Sequence, residues 1–146
     1  MTNLLENCRV VICSPDAAAA QTDLDGTVID MAAGGGFDAV LFVAFLGDVA
    51  DTCVLELQAQ GSATSNGASP STEATTGTFT AGASTADDKT MVLDVVRPAN
   101  RYVFSRLKRG TANAAVNAVL AIQYRAHNAP TTQLAEVIKA ALAVVK

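Results

Sequence analysis

The sequence predicts an all-β protein: an antiparallel β-sandwich of about eight strands, a jelly roll by strand count, closed by a C-terminal α-helix. Three observations carry that prediction. Short runs rich in Val, Ile and Leu recur along the chain, with Gly, Pro, Asn and Asp turns between them. Several of these runs alternate apolar and polar residues at a period of two, the signature of a half-buried strand. Only the stretch after Pro130 changes to helical spacing. The 146 residues suit one domain, 1–146, and a chain 50% hydrophobic and 16% charged is not of disordered type.

The elements follow in order. Arg9–Ile12 is short and β-branched, and Pro15 closes it. After the Ala17–Ala20 run, Gly26–Met31 reads as a second strand, and Gly34-Gly35-Gly36 as a hairpin or wide turn. Ala39–Phe45 is apolar at every position, which predicts a central strand covered on both faces. Cys53–Gln60 alternates, with Cys53, Leu55, Leu57 and Ala59 on one side and Glu56, Gln58 and Gln60 on the other. Residues 61–77 hold Ser, Thr, Gly and Pro70 with no buried-face period, and read as a long polar loop. Thr78–Ala81 is a weak strand. Met91–Val96 and Tyr102–Lys108 follow, separated by Pro98 and Asn100. In Ala115–Arg125 the Ala content leaves a helix open, but Val116, Ala118, Leu120, Ile122 and Tyr124 alternate, which is the stronger signal. From 131 to 145 Leu134, Ile138 and Leu142 recur at i, i+4, i+8 behind a Thr131 or Thr132 cap. A terminal helix so apolar should dock, on its own sandwich, a second copy or a larger lattice.

Composition excludes several functions. A net charge of −4 argues against a dedicated nucleic-acid binder. The N-terminus lacks the basic and apolar regions of a signal peptide, and Ala39–Leu46 is far shorter than the run of about 20 residues that crosses a bilayer. Cys8, Cys13 and Cys53 form no C-x-x-C pair and read as buried thiols of a protein made in a reducing cytoplasm. One histidine, His127, stands apart from any ligand cluster, so no metal and no cofactor is expected.

Asp23-Leu24-Asp25-Gly26-Thr27-Val28-Ile29-Asp30 resembles the first motif of the haloacid-dehalogenase phosphatases, whose first Asp is the nucleophile at a magnesium site. That chemistry needs the Asp at the end of a buried parallel strand, whereas Ala17-Ala18-Ala19-Ala20-Gln21-Thr22 precedes it here and no βαβ alternation follows. The phosphatase is rejected; the stretch reads as a turn feeding a strand. Gly34-Gly35-Gly36 lacks the Lys-Ser/Thr of a phosphate loop, and no Ser is marked as a triad partner for His127. Arg97, Arg101, Arg106, Lys108 and Arg109 form the basic cluster of an acidic chain. They read either as solvated strand ends paired with carboxylates or as a docking patch for an acidic surface.

Gly36–Phe42, Met91–Pro98 with Arg101-Tyr102-Val103, Arg109–Ala114 and Ala121–Tyr124 together resemble the capsid cement (decoration) proteins of tailed, podovirus-like phages, that of a Bordetella phage among them. The resemblance implies a non-enzymatic virion protein on the outer surface of the capsid, made in the bacterial cytoplasm. It implies that the chain bridges subunits of the major capsid protein and pairs with itself as a jelly-roll dimer, without direct nucleic-acid or membrane contact. A head–tail or tail component on the same sandwich is the alternative. On this reading Arg97, Arg101, Arg106 and Arg109 contact the shell or a neighbouring copy, as do Leu134, Ile138 and Leu142, and the loop 61–77 faces outward.

Overall fold

Eleven strands, against the eight expected, pair antiparallel into two sheets in the computed structural model, which describes residues 3–141 and Ala143. A one-turn helix α1 (Leu4–Asn7) leads into β1 (Arg9–Ser14) and β2 (Ala17–Ala20). Two short strands, β3 (Leu24–Asp25) and β4 (Ile29–Asp30), and a 3₁₀ turn (Ala33–Gly35) precede the long β5 (Phe37–Val49). β6 (Val54–Ser62), β7 (Ser71–Thr75), β8 (Phe79–Thr80), β9 (Thr90–Val96), β10 (Tyr102–Gly110) and β11 (Ala114–Ala126) complete the chain. Sheet I has the order β1-β11-β5-β9, with β2 also on β11; sheet II has the order β3-β10-β6-β7, with β4 on β10 and β8 on β6.

The core lies between the sheets. Val40, Phe42 and Ala44 of β5, Val119 and Ala121 of β11, and Leu93 and Val95 of β9 point inward from sheet I. They meet Leu55, Leu57 and Ala59 of β6 and Val103 and Leu107 of β10 from sheet II. Two buried polar side chains complete the layer. Arg9 donates from Nε to Gln123 Oε1 at 2.8 Å, and Gln123 donates to the Asp30 carbonyl at 3.3 Å.

Four departures from the sequence reading have local causes. The expected strand Gly26–Met31 is broken into β3 and β4, which both pair with β10 in sheet II, because between them the chain turns aside to bond the end of β1. Thr27 N–H donates to the Cys13 carbonyl in sheet I, and Gly26 N–H to the Ser105 carbonyl in sheet II. Only glycine fits at 26, since a Cβ would stand 2.5 Å from Ser105 Oγ. The alanine run forms β2, because pairing with β11 overrides its low strand preference. The polar loop 61–77 is not all loop: β7 pairs with β6, and Gln60 donates to Thr72 Oγ1 at 2.8 Å. Polar cross-strand bonds of this kind leave no hydrophobic alternation to read.

The C-terminal segment is the largest correction. Residues 131–141 form no helix; they run extended past the edge of β1, with one turn closed by Val137 N–H to the Leu134 carbonyl. Val10 and Ile12, the outward N–H groups of that edge, donate to Gln133 Oε1 and Glu136 Oε1 at 3.1 and 2.8 Å. An unpaired strand edge competes for the segment, and side chains that satisfy it outweigh the helical spacing. Leu134 packs against the core and Ile138 is 97% exposed, so the two do not share a buried stripe. Leu142 lies outside the described residues.

Candidate interaction surfaces

Every second residue of β5 points away from the core, and on sheet I that outer face is apolar across four strands. The register sets it out in rows: Val10, Ile122, Leu41 and Asp94; then Ile12, Leu120, Val43 and Val92. Above and below lie Tyr124, Ala39 and Val96, and Ala118, Phe45 and Thr90. Ile12, Phe45, Val92 and Val96 are 44%, 40%, 52% and 47% exposed. Asp94 on the edge strand is the charged group in these rows, and the Tyr124 hydroxyl donates to its carboxylate at 2.7 Å. Burial and then Asp94 push the Tyr124 hydroxyl above its ordinary pKa. The sequence predicts Ala39–Phe45 covered on both faces. The structure covers the core side in full, and on the other side it buries Ala39, half-buries Leu41 and Val43 and leaves Phe45 40% exposed.

The outer face of sheet II is polar and self-paired. Arg106 on β10 grips Asp25 of β3 with Nε and Nη2 at 2.6 and 2.8 Å. Arg101, just before β10, grips Asp30 of β4 with both distances 2.8 Å. The Arg101 guanidinium holds the Asp30 carboxyl below the usual carboxylate range. Glu56, Gln58 and Thr75 join in further side-chain bonds. The motif that resembles a phosphatase thus serves as a sheet edge: Asp25 and Asp30 are occupied by arginines, and Asp23 is exposed beside an antiparallel sheet rather than at the end of a buried parallel strand.

The basic cluster is therefore not one patch. Arg109 is 5% exposed and faces inward. Its Nε donates to the Thr22 carbonyl at 2.9 Å, and its Nη1 to the carbonyls of Ala18 and Ala114 at 3.0 and 2.8 Å. It ties β2 and the chain after it to β11, which removes it from the surface contacts assigned to it. Arg101 and Arg106 are clamps whose outer edges still reach solvent. Arg97 is exposed, in a left-handed conformation (φ 56°), with no side-chain hydrogen bond among the described residues.

Arg97 lies at one end of the sandwich beside a pairing with no local signal, His127 Nε2 at 2.6 Å from Asp38 Oδ1. Its hydrogen bond lowers the Asp38 carboxyl, helped by the charges of Arg97 and Arg125. An open groove of about 710 Å³ runs here between Gly35–Asp38, the loop 97–101 and His127–Asn128. Glu73 of β7 staples that loop, accepting from the backbone N–H of Ala99 and Asn100 at 3.0 and 2.9 Å and from Asn100 Nδ2 at 2.7 Å. A Cβ at position 61 would overlap the Glu73 carboxylate, so Gly61 makes the staple possible.

All three cysteines are buried and free, and burial pushes the Cys13 thiol up to about 12. Among the described residues no three His, Cys, Asp or Glu side chains are grouped to hold a metal ion, and no helix is long and apolar enough to cross a membrane.

No family model matches the chain, and no curated protein matches it. Among solved structures it is similar to the PBSX exported protein XepA, with a TM-score of 0.52 and 12% sequence identity. The likeness covers 100% of this chain and 42% of that protein, so this chain spans less than half of XepA's length. At that identity the likeness is one of fold.

Proposed function

We propose that this chain is a non-enzymatic virion structural protein of a tailed phage, a cement protein that binds the outside of the capsid and bridges subunits of the major capsid protein. The observation that carries the reading is a sandwich with two broad outer faces, one apolar across four strands and the other bearing the Arg101–Asp30 and Arg106–Asp25 clamps. Such a body is suited to holding proteins together rather than to turning over a small molecule. The likeness in fold to XepA, a protein of the phage PBSX, and the resemblance of Met91–Pro98 and Arg109–Ala114 to phage cement proteins support the same reading. The antiparallel sandwich of β1, β11, β5, β9 against β3/β4, β10, β6, β7 suits the same reading.

The shell contact uses the polar face of sheet II, through Arg101 and Arg106, together with the exposed tail at Ile138. Individually weak contacts of this kind become strong when several are linked on one lattice. The test is to add purified chain to heads that lack it. Saturable binding to the head exterior, with heads that release DNA at a higher temperature, is the expected result. Arg101→Glu with Arg106→Glu should weaken that binding, and so should high salt. Density for the chain at the portal or tail would instead establish the head–tail or tail reading, and absence of binding would remove the cement role.

A further inference from the structure

We infer that the groove at the Arg97 end of the sandwich is a binding site for a neutral saccharide, held through neighbouring hydroxyls of a pyranose ring. The inference concerns neither outer face and does not rest on the cement reading. The groove, about 710 Å³, falls within the roughly 300–1,000 Å³ of small-molecule sites. Bonds between distant parts of the chain fix its walls before any ligand arrives. Glu73 holds the loop 97–101 by two backbone N–H groups, His127 is tied to Asp38, and Asn128 donates from Nδ2 to the Gly35 carbonyl at 3.3 Å. Walls set in this way need little ordering when a ligand binds. At position 36, where φ is 72°, a Cβ would stand 2.9 Å from His127 Nδ1, so glycine lets the imidazole lie against the wall.

The groups left over select the ligand. The lining residues carry polar atoms with no partner among the described residues: the Arg97 guanidinium, Asp38 Oδ2 and the side-chain oxygens of Asn100 and Asn128. A planar donor fork beside planar acceptors matches adjacent hydroxyls, each of which donates and accepts at once. Pro98 and Ala32 supply apolar surface for the C–H side of the ring. Charge is balanced, with Arg97 and Arg101 set against Asp38 and Asp30, and Arg101 already clamped by Asp30. A lone anion would meet the Asp38 carboxylate and a lone cation the Arg97 guanidinium, so a neutral ligand that uses both is favoured. A nucleobase would want an open aromatic ring to stack on, and Phe37, the aromatic residue of the lining, is 4% exposed.

Nuclear magnetic resonance titration of the isotope-labelled full chain with the methyl glycosides of glucose, mannose, galactose and N-acetylglucosamine tests this. At least one should shift the amide signals of Gly35, Gly36, Asn100 and Asn128 saturably. A dissociation constant on the order of 1–10 mM is expected for a ligand of about a dozen heavy atoms. Asp38→Ala should weaken binding at least about tenfold, since a charged hydrogen bond is lost, and Asn128→Ala about threefold. Glu73 is a positioning residue. Glu73→Ala should weaken binding about fivefold and speed hydrogen exchange at Ala99 and Asn100, and Glu73→Gln, which still accepts, should restore most of both. In every variant, unmoved signals from β1 and β10 report an intact fold. Glycosides that all fail to saturate, or binding that ignores Asp38→Ala and Asn128→Ala, overturn the inference. Inorganic phosphate that saturates the same signals while the glycosides do not makes the groove an anion site, and overturns it as well. Heads should bind the Asp38→Ala and Asn128→Ala chains as they bind the parent, so the saccharide site and the cement role fail separately.

Discussion

The two sheets present outer faces of similar strand length and opposite character. On sheet II, the side chains that point outward find one another: Arg106 meets Asp25, Arg101 meets Asp30, and Glu56 accepts from Gln58 and Thr75. On sheet I the same geometric positions carry Leu41, Val43, Leu120, Ile122 and Val92. A β-sheet in a sandwich has one side covered by its partner sheet, and its other side must be satisfied by water, by itself or by another molecule. Sheet II takes the first two routes, and sheet I leaves an apolar face exposed at Ile12, Phe45, Val92 and Val96.

The sharpest way to break this comparison uses neighbours on β5. Phe42 is fully buried in the core and Val43 lies on the outer face. Phe42→Ala should cost about 3–5 kcal/mol whatever the protein concentration, because the cavity opens inside one copy. Val43→Ala should cost a fraction of that, since the position is only half-buried. Urea unfolding measures both, and equal losses for the two would erase the distinction.

Arg109 is next in size. Replacing it with Met strands three backbone carbonyls and should destabilise by roughly 2–4 kcal/mol, seen as a lower urea midpoint. Arg106→Ala, on the outer face, should cost less than about 1 kcal/mol because both partners of its clamp reach solvent. Acid should weaken the Asp30 clamp. Its carboxyl is lowered in the folded chain, so its contribution is complete above about pH 4 and is lost as the pH falls through the lowered folded value. Arg101→Gln should flatten that acid limb in a pH series of melting temperatures.

The smallest effect belongs to the phosphatase-like motif. Asp23 is exposed and makes no side-chain bond among the described residues, so Asp23→Asn should change stability by no more than about 0.5 kcal/mol. Magnesium-dependent hydrolysis of p-nitrophenyl phosphate should be at background before and after. A rate that Asp23→Asn abolishes would overturn the non-enzymatic reading.

The class of the fold was legible because alternation is a local signal. Leu55, Leu57 and Ala59 on β6, or Leu93 and Val95 on β9, declare a buried side without reference to the rest of the chain. The unbroken apolar run Ala39–Phe45 marked the central strand, though its second side is only partly covered. The helix expected over 131–145 failed because its periodicity was read alone, while Val10 and Ile12 offered backbone donors that Gln133 and Glu136 could satisfy. Of the two readings of the basic cluster, pairing with carboxylates holds for Arg101 and Arg106, while Arg109 turns inward. Four arginines close in sequence look like one patch, yet one is inside, two are clamped by aspartates some 70 to 80 residues away, and one is free.

Sequence alone therefore determined the all-β class, most of the strands and the residues that fill the core, since these follow from side-chain alternation within a few residues. Tertiary structure decided the rest: which carboxylate meets which arginine, where the chain between β3 and β4 turns aside to bond β1 at Thr27, and which side of the central apolar strand the second sheet covers. Those outcomes depend on pairing between strands far apart in the chain, and a period-two pattern marks two sides of a strand without saying what lies opposite either.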